Sequence, residues 1–290
     1  MPSLSQLAVS EYLPEGSPHT VPIVVIVHGS LDRSSSFARV LRRLDDLHTV
    51  VYDRRGYHRS RQALPLNTTL AGHVDDLLEV IDGRPAVVVG HSYGGDVALG
   101  AALRDANGGT IRSVGVYEPP MPWLDLWPTR PAGGEEPAGG DQVERDARGA
   151  ERFFRRMMGD TAWDRLPEKG KAERRADGPA LLAELDAIRI AEAPFDVTAM
   201  TVPTLYARGE KSATRHRESV AWLVEHTPDA ELVEIPGAAH GAHLTHPDAF
   251  AGMVRRALAL ADSAEADPAD PADTAETAET DPAETTTAMT

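Results

Sequence analysis

The sequence predicts an α/β fold in which a mostly parallel central sheet carries helices on both faces. Short apolar runs alternate with amphipathic stretches of helical period over most of the chain. Two of the runs, Val21–Gly29 and Pro85–Gly90, are almost continuously apolar. That pattern is typical of parallel strands, because helices cover both faces of a parallel sheet and bury both sides of each strand.

Six apolar runs are predicted to be strands, and LAVSEYLP near the N-terminus is a candidate for one more. The six runs are Val21–Gly29, His48–Asp53, Pro85–Gly90, Ile111–Glu118, Val202–Gly209 and Ala230–Gly237. The stretches SSFARVLRRL and LAGHVDDLLEVID repeat apolar residues at helical spacing, so both are predicted to be helices between strands.

Residues 119–200 break this alternation, because no strand-like run occurs there. RPAGGEEPAGGD is a Pro/Gly linker, and VERDARGAERFFRRMMG and ALLAELDAIRIA have helical patterns. We therefore predict a core domain formed by residues 1–118 and 201–260. A helical cap, residues 119–200, is inserted before the penultimate strand and covers one edge of the sheet.

Residues 261–290 have a different composition from the rest of the chain. They hold nine acidic residues, no basic residue, and no aliphatic residue larger than alanine except Met289. Such a segment cannot bury enough apolar surface to offset the entropy of ordering it, so we predict a disordered acidic tail.

Composition excludes several classes of function. A formal charge of −16 disfavours nucleic-acid partners, which need a basic surface, and the absence of cysteine excludes disulfides and thiolate chemistry. No basic start followed by an apolar run resembles a signal peptide, and no apolar run is long enough to cross a bilayer. We expect a soluble, cytoplasmic protein with no membrane partner; the oligomeric state stays open.

The segment GHSYGG places Ser92 at a sharp turn between a strand and a helix. Gly90-His91-Ser92-Tyr93-Gly94 fits the pattern G-x-S-x-G, in which the glycines make room for a strained serine. The turn exposes the hydroxyl above the strand end, beside the N-terminus of the next helix. Ser92 is therefore the predicted nucleophile.

A serine nucleophile needs a base, and IPGAAHGAHLTHP offers three histidines after the last strand. His240 lies in the first loop after that strand, from which it can reach Ser92. His243 and His246 are three residues apart and are predicted to begin the next helix. No Asp, Glu or Cys lies nearby at a recognised ligand spacing, so we predict neither a metal nor a cofactor.

Two backbone amides are needed to stabilise a developing oxyanion. One is predicted to be that of Tyr93, at the start of the helix. The second belongs to the loop after the first long strand, VHGSLDRS, where Ser30 is favoured and Leu31 is the alternative. In the following DRRGYHRS segment, Asp53 and the two arginines are expected to form structural salt bridges near the site.

With these segments in place, the sequence resembles the α/β-hydrolase superfamily, in its cap-bearing esterase, lipase and haloperoxidase-like branch. The matching segments are HGS, YDRRGYHRS, GHSYGG, VPTLYARGE and PGAAHGAHLTHPDAF, which together span about Val21 to Leu260. The resemblance implies an α/β-hydrolase fold, but not a substrate, because the fold hosts many reactions.

The sequence departs from the family at the acid of the triad. The family's usual aspartate lies three residues beyond the glycine of VPTLYARG, where this chain has Ser212. In a known variation of the family the acid moves to the end of the preceding strand, and SVGVYEPP places Glu118 there. Both strand ends flank the same histidine loop. The resemblance therefore implies Glu118 as the acid, with Glu210 as the fallback.

These residues predict a serine hydrolase that cleaves a carboxylic ester, thioester or lactone through an acyl-serine. Apolar residues near MPWLDLW and FFRRMM favour a small hydrophobic substrate with an acyl or aromatic part. Two alternatives stay open. One is a non-hydrolytic enzyme of the same fold, such as a perhydrolase or haloperoxidase-like enzyme, an acyltransferase or a cyclase. The other is a binding protein that has lost catalysis.

Overall fold

The computed structural model describes residues 7–14, 22–63, 66, 68–127, 140–188 and 192–266. The described residues contain one seven-stranded sheet. Its strands are β1 (Val9–Tyr12), β2 (Ile23–Val27), β3 (Thr49–Tyr52), β4 (Ala86–His91), β5 (Ile111–Tyr117), β6 (Thr204–Gly209) and β7 (Ala230–Ile235). The spatial order is β1-β3-β2-β4-β5-β6-β7, and only β1, at the edge, is antiparallel to its neighbour.

Ten α-helices and three short 3₁₀ turns accompany the sheet in the described part of the chain. The helices are α1 (Ala38–Leu41), α2 (Leu70–Ile81), α3 (Tyr93–Asp105), α4 (Gln142–Met158), α5 (Asp160–Asp164), α6 (Glu168–Ala176), α7 (Gly178–Ala187), α8 (Thr214–His226), α9 (Ala242–Thr245) and α10 (Pro247–Ala266). The 3₁₀ turns are Ser34–Phe37, His58–Ser60 and Val197–Ala199. None of the described helices is long and apolar enough to span a membrane.

The apolar run of β2 packs on both faces of the sheet. Val25 and Val27 belong to one core cluster, which also contains residues of α2, α3 and α8. Val24 and Ile26 belong to the opposite cluster, together with residues of α1 and α10. This alternation confirms the predicted α/β fold, since a strand buried on both faces has no position for a polar side chain.

Local sequence explains where several helices begin and end. Thr69 caps α2, because its hydroxyl accepts the amide of Gly72 at 3.1 Å. Asp141 caps α4 in the same way, with its carboxylate 2.9 Å from the amide nitrogen of Glu144. Gly159 ends α4 at a φ of +87°, which glycine adopts without steric cost.

Helices α4 to α7 lie between β5 and β6 and are called here the inserted helices. They form a small apolar cluster with the core loops: Ala150, Ala180 and Leu181 pack against Leu31 and Tyr57. Most of the predicted Pro/Gly linker falls at 128–139, outside the described residues. The boundaries 119 and 200 of the predicted cap are not tested by this arrangement.

The predicted start of the acidic tail at residue 261 is wrong. Helix α10 continues to Ala266, so residues 261–266 are helical. Ala261 is only 2% exposed and belongs to the core cluster that packs on α10, which is why the helix extends past Leu260. The rest of the predicted tail, 267–290, lies outside the described residues.

Candidate active site

Ser92 occupies a strained turn between β4 and α3. Its φ of 54° and ψ of −130° are unfavourable for a residue with a side chain. Both flanking glycines are sterically required: a Cβ on Gly90 would lie 2.2 Å from the carbonyl oxygen of Gly94, and one on Gly94 would lie 2.2 Å from that of Val27. The close approach of α3 to β2 therefore forces the G-x-S-x-G pattern and lifts the serine hydroxyl off the sheet.

The side chain of His240 meets the hydroxyl of Ser92. His240 lies in the loop after β7, and its Nε2 is 3.1 Å from Ser92 Oγ. His91 holds this loop from below, because its Nε2 donates to the carbonyl oxygen of His240 at 2.7 Å. Because a carbonyl oxygen can only accept a hydrogen bond, the ring of His91 must carry a proton on Nε2.

Glu118 lies immediately after β5, fully buried, with a φ of 48°. Its Oε2 accepts a hydrogen bond from Nδ1 of His240 at 2.8 Å, and its Oε1 accepts one from the amide of Gly209 at 2.7 Å. Because the carboxylate only accepts, the neutral His240 ring carries its proton on Nδ1. Its Nε2 then has a free lone pair that faces the hydroxyl of Ser92.

Glu210 does not reach His240. Its Oε2 accepts the amide of Gly237 at 2.7 Å, and its side chain is exposed. His246 is half-buried, and its Nδ1 lies 2.8 Å from the hydroxyl oxygen of Thr245. His243 is the second residue of the short helix α9 and is buried, whereas His246 lies between α9 and α10. Of the predicted acids and bases, the structure brings only Glu118 and His240 to Ser92.

The loop Gly29–Leu31 packs against Ser92 and is called here the oxyanion loop. A Cβ on Gly29 would lie 2.8 Å from Cβ of Ser92, so only glycine allows this approach. In the described part of the chain, the backbone amides of Ser30 and Tyr93 donate to no protein acceptor. Backbone N–H groups without a protein acceptor are the kind of donor that can bind a developing oxyanion.

Charged residues of the inserted helices reach the oxyanion loop, and the sequence did not predict this. The hydroxyl of Ser30 donates to Oε1 of Glu184 in α7, and Nη1 of Arg174 in α6 donates to the carbonyl oxygen of Leu31. Arg54 binds the same Glu184 at 2.6 Å. The expected salt bridges of the DRRGYHRS segment are present, and Asp53 pairs with Arg59 inside the segment. The partner of Arg54 lies 130 residues away and carries no sequence signal.

A second buried histidine supports His240 from its outer face. The ring of His216 in α8 stacks on that of His240, with centroids 4.5 Å apart and planes at 22°. Burial, together with the nearby His240 and Arg215, lowers the pKa of His216 to about 2. His216 is therefore neutral at any pH near 7, so it packs against His240 without adding a positive charge.

A cavity of about 380 Å³ opens above Ser92 and His240. One wall is apolar and comes from the inserted helices and α9. The lining also includes the charged residues Asp32, Arg33 and Arg174. The apolar wall is formed by Phe153, Phe154, Met157, Met158, Leu166 and Leu244. Of the tryptophans before the inserted helices, Trp123 and Trp127 pack against the core instead.

Two groups of described residues bring imidazole nitrogens and a carboxylate within 4.8 Å of one another. One group is Glu118, His216 and His240, and the other is Asp32, His91 and His243. The first contains the hydrogen bond between His240 and Glu118. In the second, Nε2 of His243 lies 3.3 Å from Oδ2 of Asp32. Hydrogen bonding between His240 and Glu118 accounts for the first group, whereas the second is held by the closer approach of His243 to Asp32 alone.

Several known proteins are similar to this chain in sequence and in fold. The model of a family described as the alpha/beta hydrolase family matches residues 24–253. A pimeloyl-[acyl-carrier protein] methyl ester esterase of Chromobacterium violaceum is 31% identical over 238 residues, which cover 79% of this chain and 91% of that protein. The enol-lactonase of Burkholderia xenovorans LB400 superposes with a TM-score of 0.65 at 20% identity, over 87% of this chain and 96% of the other.

A third relative is much longer than this chain. The polyketide synthase ThaQ of Burkholderia thailandensis is 29% identical over 242 residues, which cover 79% of this chain but only 11% of the synthase. The family match nevertheless spans most of the chain. The chain therefore belongs to the alpha/beta hydrolase family.

Proposed function

We propose that the protein is a serine hydrolase that cleaves a carboxylic ester, thioester or lactone. The observation that carries the proposal is the hydrogen-bonded chain from Ser92 Oγ to His240 to Glu118 at a strained strand–helix turn. A hydroxyl, a base and an orienting carboxylate in this arrangement form an activated nucleophile. Esterase and lactonase relatives support the same class of bond.

In the proposed mechanism, Ser92 Oγ attacks the substrate carbonyl carbon while Nε2 of His240 takes its proton. Glu118 stabilises the resulting imidazolium, and the amides of Ser30 and Tyr93 bind the oxyanion of the tetrahedral intermediate. The intermediate collapses to an acyl-serine as His240 gives its proton to the leaving alcohol or thiol. Water then attacks the acyl-serine, with His240 again as the base, and the acid is released.

The cavity above Ser92 supports a substrate with a hydrophobic acyl or aromatic part. Phe153, Phe154 and Met157 face the space next to Ser92 and His240. Burying apolar substrate surface against these side chains contributes about 25 cal/mol per Å². In this proposal residues 119–200 act as a cap, because the inserted helices supply that apolar wall.

Labelling with a fluorophosphonate probe, followed by mass spectrometry, tests the nucleophile. The wild-type protein is expected to be labelled at Ser92, and Ser92→Ala is expected to lose labelling and about 10⁶-fold in kcat. Ser263→Ala, an exposed serine on α10, is the matched control and should keep both. A folded wild-type protein that is not labelled would contradict the proposal and favour a binding protein.

A substrate screen tests the reaction class. p-Nitrophenyl esters of increasing acyl length, lactones and thioesters are supplied with and without an added alcohol or peroxide. Hydrolysis to the free acid, strongest for the apolar acyl groups, is the expected result. If acyl groups are transferred only to the added alcohol or peroxide, the non-hydrolytic alternative is correct.

A further inference from the structure

The oxyanion loop is held from the side of the inserted helices by two charged side chains. The hydroxyl of Ser30 donates to Glu184, and Arg174 donates to the carbonyl oxygen of Leu31. A third contact lies directly beside the loop, where Nη1 of Arg33 binds Glu173 at 2.7 Å. The loop therefore has charged partners on two of the inserted helices, α6 and α7.

Glu184 also anchors the residue that precedes the loop. Its Oε2 lies 2.6 Å from Nη1 of Arg54, and Nε of Arg54 donates to the carbonyl oxygen of His28 at 2.9 Å. The carboxylate of Glu184 is thus connected to both neighbours of Gly29. It contacts Ser30 directly, and it contacts His28 through Arg54. Neither connection uses the backbone amide of Ser30, which donates to no acceptor among the described residues.

The local backbone gives a reason for this support. Leu31 has a φ of 53°, a left-handed conformation that is unfavourable for a leucine. Such a conformation persists only where surrounding contacts impose it. The bonds at His28, Ser30 and Leu31 supply those contacts, so the loop depends on residues outside it for its shape.

Glu184 is well suited to hold that shape. It is fully buried, which by itself would raise its pKa, but the neighbouring Arg54 and His73 together outweigh burial and lower the pKa of Glu184 to about 2. His73 adds a further polar neighbour, with Nε2 3.4 Å from Oε2 of Glu184. Burying an ion pair is costly compared with apolar packing, so seating the inserted helices does not by itself require one. A fixed direction for the hydroxyl of Ser30 does require an oriented acceptor.

We propose that Glu184 is a positioning residue for the oxyanion loop, which it fixes so that the amide of Ser30 points at the oxyanion formed on Ser92. Stabilisation of the tetrahedral intermediate then depends on the seating of an inserted helix, α7. This inference rests on the proposed function, because it assumes that Ser92 forms that intermediate.

The test compares an inhibitor that forms an oxyanion with one that does not. The first inhibitor is a trifluoromethyl ketone that matches the best ester substrate; Ser92 adds to its carbonyl carbon and creates the oxyanion. The second is the matching methyl ketone, which binds in the cavity without forming the oxyanion. Glu184→Gln should lower kcat and the affinity for the trifluoromethyl ketone by about 10- to 100-fold, since small displacements of catalytic groups have effects of this size. KM and the affinity for the methyl ketone should change less than about twofold, because Glu184 does not line the cavity.

Two further variants keep the test decisive if Glu184→Gln folds poorly. Ser30→Ala removes the hydroxyl that contacts Glu184 but leaves the backbone amide and the ion pair with Arg54 intact. It should give the same selective loss, about tenfold, and the double variant should lose less than the product of the two single losses, because the contact between Ser30 and Glu184 is shared. Glu151→Gln is the matched control, since Glu151 pairs only with Arg155 and Arg175 in the inserted helices and should leave every readout unchanged.

Two results would overturn the inference. One is that Glu184→Gln and Ser30→Ala keep the wild-type kcat and trifluoromethyl ketone affinity. The other is that both ketones and the substrate lose affinity equally, which a general structural role would produce. If instead the wild-type protein neither hydrolyses esters nor binds the trifluoromethyl ketone, the proposed function fails, and the positioning role fails with it.

Discussion

The two sides of Ser92 are built from different parts of the chain. On one side, His240 and Glu118 come from the ends of β7 and β5, and Gly209 at the end of β6 holds the carboxylate of Glu118. On the other side, the oxyanion loop follows β2, but its polar partners Glu184 and Arg174 lie on inserted helices.

This difference separates two kinds of support. The His240 side is fixed by neighbouring parallel strands, whose carboxyl ends meet at one edge of the sheet. The Ser30 side depends on how the inserted helices sit on the core. In the proposed function, substrate would contact those helices through the apolar residues that line the cavity, so on that side substrate binding and oxyanion geometry would share one support. Substitutions on the two sides should therefore differ in their effects on kcat and on the pH dependence of stability.

The largest effect is expected on the His240 side. Glu118→Gln keeps the shape of the side chain but no longer stabilises the imidazolium or fixes the protonated nitrogen, so kcat should fall by about 10⁴-fold. KM should stay near its wild-type value, because Glu118 is fully buried beneath His240. Steady-state kinetics with the best ester of the screen measures both constants.

Glu210→Gln is the matched control for this prediction. Glu210 contacts the amide of Gly237 rather than His240, so its substitution should change kcat less than about twofold. The opposite result, with full activity in Glu118→Gln and a large loss in Glu210→Gln, would assign the acid to Glu210. The His240 side would then be built from a loop rather than from strand ends.

A smaller effect is expected from the second contact on the Ser30 side. Arg174→Met removes the hydrogen bond to the carbonyl of Leu31, and kcat should fall by about tenfold, the equivalent of one charge-assisted hydrogen bond. Arg175→Met, the next residue on the same helix, pairs with Glu151 instead and should be close to wild type. Equal losses in both variants would show that α6 supports the fold generally rather than the loop.

The two sides of Ser92 should also differ in how they make the free energy of unfolding depend on pH. The unfolded chain protonates His216 near pH 6.5, whereas burial keeps it neutral in the fold down to about pH 2. Below pH 6.5, this one group therefore lowers the free energy of unfolding by about 1.4 kcal/mol for each pH unit. His216→Phe keeps an aromatic ring beside His240 and should make urea unfolding less dependent on pH between 6.5 and 4.5.

Glu184 should act only in a lower range of pH. Its folded pKa of about 2 lies below its ordinary value of 4.5, so its ionised form stabilises the fold above pH 4.5 and that contribution is lost as the pH falls towards 2. Glu184→Gln should reduce the loss of stability between pH 4.5 and 2, measured by urea unfolding at fixed pH values. An unchanged loss in that range would contradict the lowered pKa of Glu184.

The fold could be predicted because its signals are local or periodic. The alternation of Val24, Val25 and Ile26 between two core faces follows directly from a continuous apolar run in a parallel strand. The end of α10 could not be placed, because Ala261 belongs by composition to the acidic tail. Only packing against the core shows that it is buried.

The sequence by itself was enough to predict the turn at Ser92. The glycines at positions 90 and 94, which the turn requires sterically, lie in one run of five consecutive residues. The sequence also narrowed the partners of Ser92 to the ends of particular strands, where His240 and Glu118 are found. Only the tertiary structure shows that Glu118, rather than Glu210, hydrogen-bonds to His240, because the direction of a side chain depends on which amides it can reach.

The support of the oxyanion loop was likewise decided by the tertiary structure alone. Glu184 is one acidic residue in an amphipathic helix, 154 residues along the chain from Ser30. Nothing in its neighbours distinguishes it from an acid on a solvated helix face. Its burial and its pairing with Arg54 arise only when α7 packs against the core loops, because a buried charge is stable only where the fold supplies its partner.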